Sequence, residues 1–212
     1  MVAGSPCLMA SVIDITERKK AEAQLQEYHY FFKNSNDLCL IANSGFFEIV
    51  NPTLQDALGY TTKELTGIPF FDFIHPDDIA GTVREVEALQ NGVKTINFKN
   101  RYRKKNGEYI LIEWNAAPDP GNGKIYAIGR DITQREKTIN ELEESNSKFL
   151  KLFYSSPVAM AISDIETGVL LDVNEQYEKL FGFPKAEIIG KTSVALGITS
   201  DAEFSKEIRS QA

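Results

Sequence analysis

The chain has 212 residues, 42% hydrophobic and 10% aromatic, which is apolar mass for a core over one or two domains and too much for wholesale disorder. Its 23 basic and 30 acidic residues leave a net charge of −7, against the broad positive field that nucleic acid or an anionic membrane requires of a main partner. No apolar run approaches the ~18 residues that span a bilayer, and Leu8–Ile13, without a basic flank, is too short for a signal segment.

In chain order, Glu17 to about Lys33 is rich in helix formers and poor in breakers, and predicts a helix. Asp37–Ala42 and Phe46–Val50, split by Asn43-Ser-Gly, read as a β-hairpin. Asn51-Pro52 supplies an N-cap and a first-turn proline for a short helix through Leu58. Thr61-Thr-Lys-Glu64 is a capping box for another, closed by Gly67. Pro76-Asp-Asp78 opens a longer helix to about Gln90, stopped by Asn91-Gly92. Strands at about 93–104 and 108–117 flank Asn106-Gly107, a strong hairpin signal, and Ile125–Ile132 is a last strand. Arg101, Arg103, Lys104 and Lys105 gather beside that turn, and a solvated hairpin tip explains them better than a phosphate site. Cys7 and Cys39, with no CxxC spacing and no adjacent histidine, read as reduced thiols in a cytosolic protein, Cys39 as a small core residue. Two strands, then helices, then three strands imply an α+β domain with one antiparallel sheet and helices on one face.

Asp-Ile-Thr occurs at 14–16 and again at 131–133, 117 positions on, and each copy precedes a charged helical stretch and a similar block. Phe32-Lys-Asn-Ser, Asn51-Pro and Leu58-Gly-Tyr answer to Phe153-Tyr-Ser-Ser, Asn174-Glu and Leu180-Phe-Gly-Phe. A repeat of that length suits one small domain per copy. The first block is identified by these residues together with Glu64-Leu-Thr-Gly67, Phe73-Ile-His-Pro-Asp-Asp78, Tyr102–Tyr109, Glu113-Trp114 and Gly129-Arg-Asp-Ile-Thr133, and over 28–133 it resembles a PAS domain of the S-box type found in bacterial sensors. The resemblance implies strand order 2-1-5-4-3 and a cavity between sheet and helices. The second copy, 147–212, matches only as far as Gly190-Lys191, and lacks the last three strands; residues 1–16 match the final strand of a preceding module. The expectation is one whole domain between two fragments of a longer receptor. A two-strand half-sheet buries little, so the strand at 8–16 is a candidate to complete it, with frayed ends as the alternative.

Two linker helices, 17–33 and 134–153, join these blocks. Ile139, Leu142, Asn146, Phe149 and Phe153 fall at intervals of 3, 4, 3 and 4, the a/d seam of a coiled coil, with Asn146 fixing register. The four-residue difference between the linkers (18 against 22 from Asp to Phe) is a stutter. The seam leaves two readings open, a homodimer helix that transmits signal between modules and an amphipathic helix lying on its own domain, and the resemblance favours the first.

Catalytic patterns are missing from the sequence: His29 lacks the context of a kinase phosphoacceptor, His75 reads as a helix-start cap, and there is no Gly-rich phosphate loop. By the resemblance, a flavin adduct needs a cysteine near 65–73 and haem needs a histidine within 77–92; neither is present, so no cofactor or metal is expected, while non-covalent flavin leaves no motif to test. The candidate ligand-binding residues are Asn51, Tyr60, Phe70, Phe73, Arg101 and Trp114, with plain core packing as the other account of the aromatics. The sequence thus points to a sensory module relaying ligand or partner binding to an output domain, a histidine kinase by resemblance. A dimerisation module without a small ligand is the second reading.

Overall fold

The computed structural model describes residues 14–198, in two units, Met1–Glu136 and Lys137–Ala212. The strand expected at 8–16 falls almost wholly outside the described residues.

The first unit opens with helix α1, Thr16–Asn34, whose first turn is held by Thr16 N–H donating to Asp14 Oδ1 at 2.9 Å. None of its side chains is buried. Strands β1, Leu38–Asn43, and β2, Phe46–Val50, form the predicted hairpin, turned by Ser44 and Gly45 at φ 50° and 85°. Asn51 caps α2, Pro52–Leu58, and the capping box of Thr61 and Glu64 opens α3, Thr62–Thr66. Two 3-10 turns, Phe70–Phe73 and Pro76–Asp78, lead into α4, Ile79–Gln90. Strands β3, Thr95–Arg103, β4, Tyr109–Pro118, and β5, Ile125–Asp131, complete an antiparallel five-stranded sheet in the order β2-β1-β5-β4-β3.

Alternation along the strands sorts side chains between two faces. Leu38, Leu40 and Ala42 point into the core, as do Ile110, Ile112 and Trp114. Cys39, half-buried, takes the opposite phase on β1, so it is not the core residue expected; its Sγ lies 3.5 Å from Ser35 Oγ. Register places Trp114 opposite Gly129, where an added Cβ would stand 2.5 Å from the indole. Glycine is therefore required there by the tryptophan beside it.

The hairpin tip is exposed, as expected, and two of its basic residues also make contacts beyond the turn. Lys105 pairs with Glu64 at 2.7 Å and its N–H donates to Leu58 O, and Arg103 donates to Asp72 O. The Lys105 hydrogen bond, with those from Thr61, lowers Glu64 to about 2. Neighbouring helices offered carboxylates and free carbonyls within reach, which a sequence window around the turn does not reveal.

Helix α5, Thr133–Ser155, runs on from the first unit into the second. The second unit contains β6, Ala161–Ser163, β7, Leu170–Val173, α6, Glu175–Phe181, and α7, Lys185–Ile188. Leu170, Val173, Tyr177 and Ile188 form its small core. Of the predicted seam, Ile139, Leu142, Asn146 and Phe149 are exposed, whereas Phe153 is 2% exposed. Phe153 is therefore withdrawn from the seam, because its own unit buries it.

Candidate ligand-binding cavity

Helix α4 crosses the inner face of the sheet without filling the space beneath it, leaving a cavity of about 70 Å³. Phe47, Phe70, Phe98, Tyr102 and Trp114 supply its aromatic walls, and Leu40, Leu89, Ala116 and Ala127 its aliphatic ones. One polar thread runs along the wall. Trp114 Nε1–H donates to Asn100 Oδ1 at 2.9 Å, Asn100 Nδ2 donates to Thr82 Oγ1 at 3.0 Å, and Thr82 donates to Asp78 O at 2.9 Å. The thread ends near the surface, where Asp78 accepts from Arg101 N, Nε and Nη2 at 2.8, 2.9 and 2.7 Å. Those hydrogen bonds, chiefly from the Arg101 side chain, hold the Asp78 carboxyl below its ordinary range despite partial burial. Burial pushes the Tyr102 hydroxyl well up, and a hydrogen bond with Asn100 offsets part of that rise.

Of the six predicted ligand-binding residues, Phe70 and Trp114 line this cavity. The other four lie elsewhere. Asn51 is wholly buried, but its side chain accepts from Cys39 N and Leu54 N and donates to Asp37 O, so backbone groups consume its polar atoms. Phe73 stacks on Phe47 within the core, and Tyr60 meets Phe73 edge-on at 5.1 Å. The Arg101 guanidinium is turned to Asp78 and Asp77, on the opposite strand phase from Asn100 and Tyr102. Asn100 and Thr82 stand outside the predicted set. Counting back by twos from Tyr102 puts Asn100 on the inner face, and that alternation is the signal that finds it. His75 accepts from Asp77 N–H through Nδ1 at 3.3 Å and meets Tyr109 edge-on, as a helix-start cap.

The outer face of the sheet carries a second, larger hollow of about 730 Å³ beside α1, lined by Tyr28, His29, Phe32, Ile49, Tyr126 and Ile128. Ile49 and Ile128 are 47% and 54% exposed, so this is an open apolar groove. Among the described residues no cluster of His, Cys, Asp or Glu has the geometry to hold a metal, and no helix is long and apolar enough to cross a membrane.

The strands of the cavity are joined directly to α5. Ile132 N–H donates to Leu111 O at 2.9 Å, and Leu111 N–H donates to Thr133 Oγ1 at 2.8 Å. Lys99 on β3 pairs with Glu136 at 2.7 Å. The Asp-Ile-Thr end thus has a local function: Ile132 is buried, Asp131 accepts from Thr133 N–H, and Thr133 closes the ladder on β4.

The chain is similar to several known proteins. The Escherichia coli (strain K12) protein "Probable diguanylate cyclase DgcE" is 27% identical over 124 residues, 54% of this chain and 11% of that protein. "Uncharacterized protein y4lL" of Sinorhizobium fredii is 26% identical over 166 residues, 74% of this chain and 20% of that protein. The chain therefore spans a fifth or less of the curated relatives it matches. A solved domain of the sensory box sensor histidine kinase/response regulator from Geobacter sulfurreducens aligns at 24% identity and a TM-score of 0.47, covering 52% of this chain and 96% of that one. Residues 47–129 match the PAS_3 family and residues 147–212 the PAS family, both described as the PAS fold. With two such matches and a sheet in the order β2-β1-β5-β4-β3, the chain belongs to the PAS family.

Proposed function

We propose that residues 28–133 form a sensory module in which cavity occupancy biases the strands and α5 carries that bias onward. Membership of the PAS family supports a signal-sensing role. The observation that carries the relay is the pair of hydrogen bonds between Leu111 and the Ile132-Thr133 step, because they tie the strand that bears Trp114 to the first turn of α5. A ligand can shift such an element only through differential affinity for its two positions. The output is proposed to be a separate domain of a longer protein, a histidine kinase by the sequence resemblance; the cyclase named in the Escherichia coli relative is a second output of the same logic.

The second reading is a dimerisation module without a small ligand. Two observations favour it: the open apolar groove on the outer sheet face, and the exposure of Ile139, Leu142 and Phe149 along α5. Native mass spectrometry of the full chain, with an absorbance scan of the same sample, separates the two. A stoichiometric bound mass supports sensing. A bare dimer overturns it in favour of interaction.

A further inference from the structure

We infer that the inner cavity is built for a small, uncharged, apolar ligand, an inference that rests on the sensory reading above and narrows it to a chemical class.

Three features of the wall converge on this class. The first is that its indole, amide and threonine groups already bond one another or their neighbours. Asn100 accepts from Trp114 and donates to Thr82, Thr82 donates to Asp78 O, and Thr95 donates to Glu85 Oε2 at 2.9 Å. Among the described residues no buried side-chain nitrogen or oxygen lacks a partner. A polar ligand directed at these groups would have to break one of their bonds, a loss of roughly ten- to hundredfold in affinity per group.

The second is charge. Glu85 is the one charged residue on the lining, and its carboxylate serves Thr95. No cation faces the cavity to receive a carboxylate or phosphate, since the Arg101 guanidinium is committed to Asp78 on the far side of the thread. The third is size. A volume of about 70 Å³ is roughly half that of an apolar cavity of ~150 Å³ that stays dry and takes up benzene or xenon. The fit is to a xenon-sized atom or a hydrocarbon of a few carbons.

The wall also contains its own reporter. Trp114 is the chain's only tryptophan, so its indole N–H gives a single resonance whose environment includes the cavity. The test is nitrogen-15 NMR of the full chain under increasing xenon pressure, repeated with dissolved propene and then with acetate and inorganic phosphate. The expected result is a saturable shift of the Trp114 indole with xenon and propene and none with either anion. Ala127→Leu, which projects a larger side chain into the space, should abolish the saturable shift. If Ala127→Leu fails to fold, Leu89→Ala enlarges the same cavity and should raise xenon affinity severalfold. A strictly linear response to xenon and propene in the wild type and in Leu89→Ala overturns the inference, as does saturable binding of either anion. The relay is judged separately: anion binding that alters hydrogen exchange at 133–140 leaves the relay standing and removes this ligand class. Saturable xenon binding that leaves exchange there unchanged does the reverse.

Discussion

The two units use the same asparagine to different ends. Asn51 and Asn174 are both wholly buried, both cap a seven-residue helix, and both helices close on a left-handed glycine, Gly59 and Gly182. Asn51 donates only to Asp37 O, in the loop after α1. Asn174 donates to Val158 O at 2.8 Å and also to Phe153 O at 3.0 Å, inside the last turn of α5. The residues before each cap follow suit. Phe32 is half-buried and α1 buries nothing, whereas Phe153 is buried, and Tyr154 donates to Asp172 beside Lys185. Helix α5 is thus gripped at its C-terminal end by the cap itself, whereas α1 is held there by a different residue, Thr53 Oγ1 donating to O of its C-cap Ser35 at 2.6 Å. Equivalent sequence positions preserve the cap; which residue holds the end of the preceding helix differs, Asn174 itself in the second unit and Thr53 in the first.

The two units differ most at the phenylalanines. Phe153→Ala should cost about 3–5 kcal/mol and unfold the second unit, while Phe32→Ala should cost about 1 kcal/mol. Tryptophan fluorescence reports the first unit alone and circular dichroism reports both, so the Phe153 variant should lose dichroism with its fluorescence transition unmoved. Equal costs at the two positions would contradict the anchoring difference.

At the caps, each Asn→Ala change removes an N-cap and strands backbone groups, a loss of about 2–4 kcal/mol. The discriminating result is local. Asn174→Ala should speed hydrogen exchange in the last turns of α5, and Asn51→Ala should leave exchange in α1 as it was.

Smaller again is the effect of acid. The Asp78 carboxyl is held low in the folded state by Arg101, so the stability it contributes is present above its unfolded value, about 3.9, and is lost as pH falls through the lower folded value. In the second unit, burial raises Asp172 but hydrogen bonds from Lys185 and Tyr154 outweigh it, and the sign is the same. Urea titrations across that acid range should show Asp78→Asn flattening the pH dependence of the fluorescence transition only. The smallest change is Tyr154→Phe, which removes one hydroxyl from Asp172 and should cost about 0.5–1.5 kcal/mol in the second unit.

Much of the fold was legible because its signals are local. Asn51-Pro52, the Thr61–Glu64 box and Asn106-Gly107 each specify a cap or turn within four residues, and each forms as expected. The cavity was legible only in part, because its lining depends on strand phase and on which polar atoms find partners first. Phe70 and Trp114 were identifiable as large residues near the sheet. Asn51 and Arg101 looked like ligand-binding groups, but backbone amides claim one and Asp78 the other. Phe153 continued a heptad seam in sequence, and burial in its own unit, beside Asn174 21 positions later, takes it out.

The proposed relay depends on the join between the cavity strands and α5. Hydrogen exchange of residues 133–140 in the full chain, with the cavity empty and then saturated, tests that join most directly. A change in protection there on saturation is the predicted result. Full occupancy with exchange in those residues unaltered would contradict the relay.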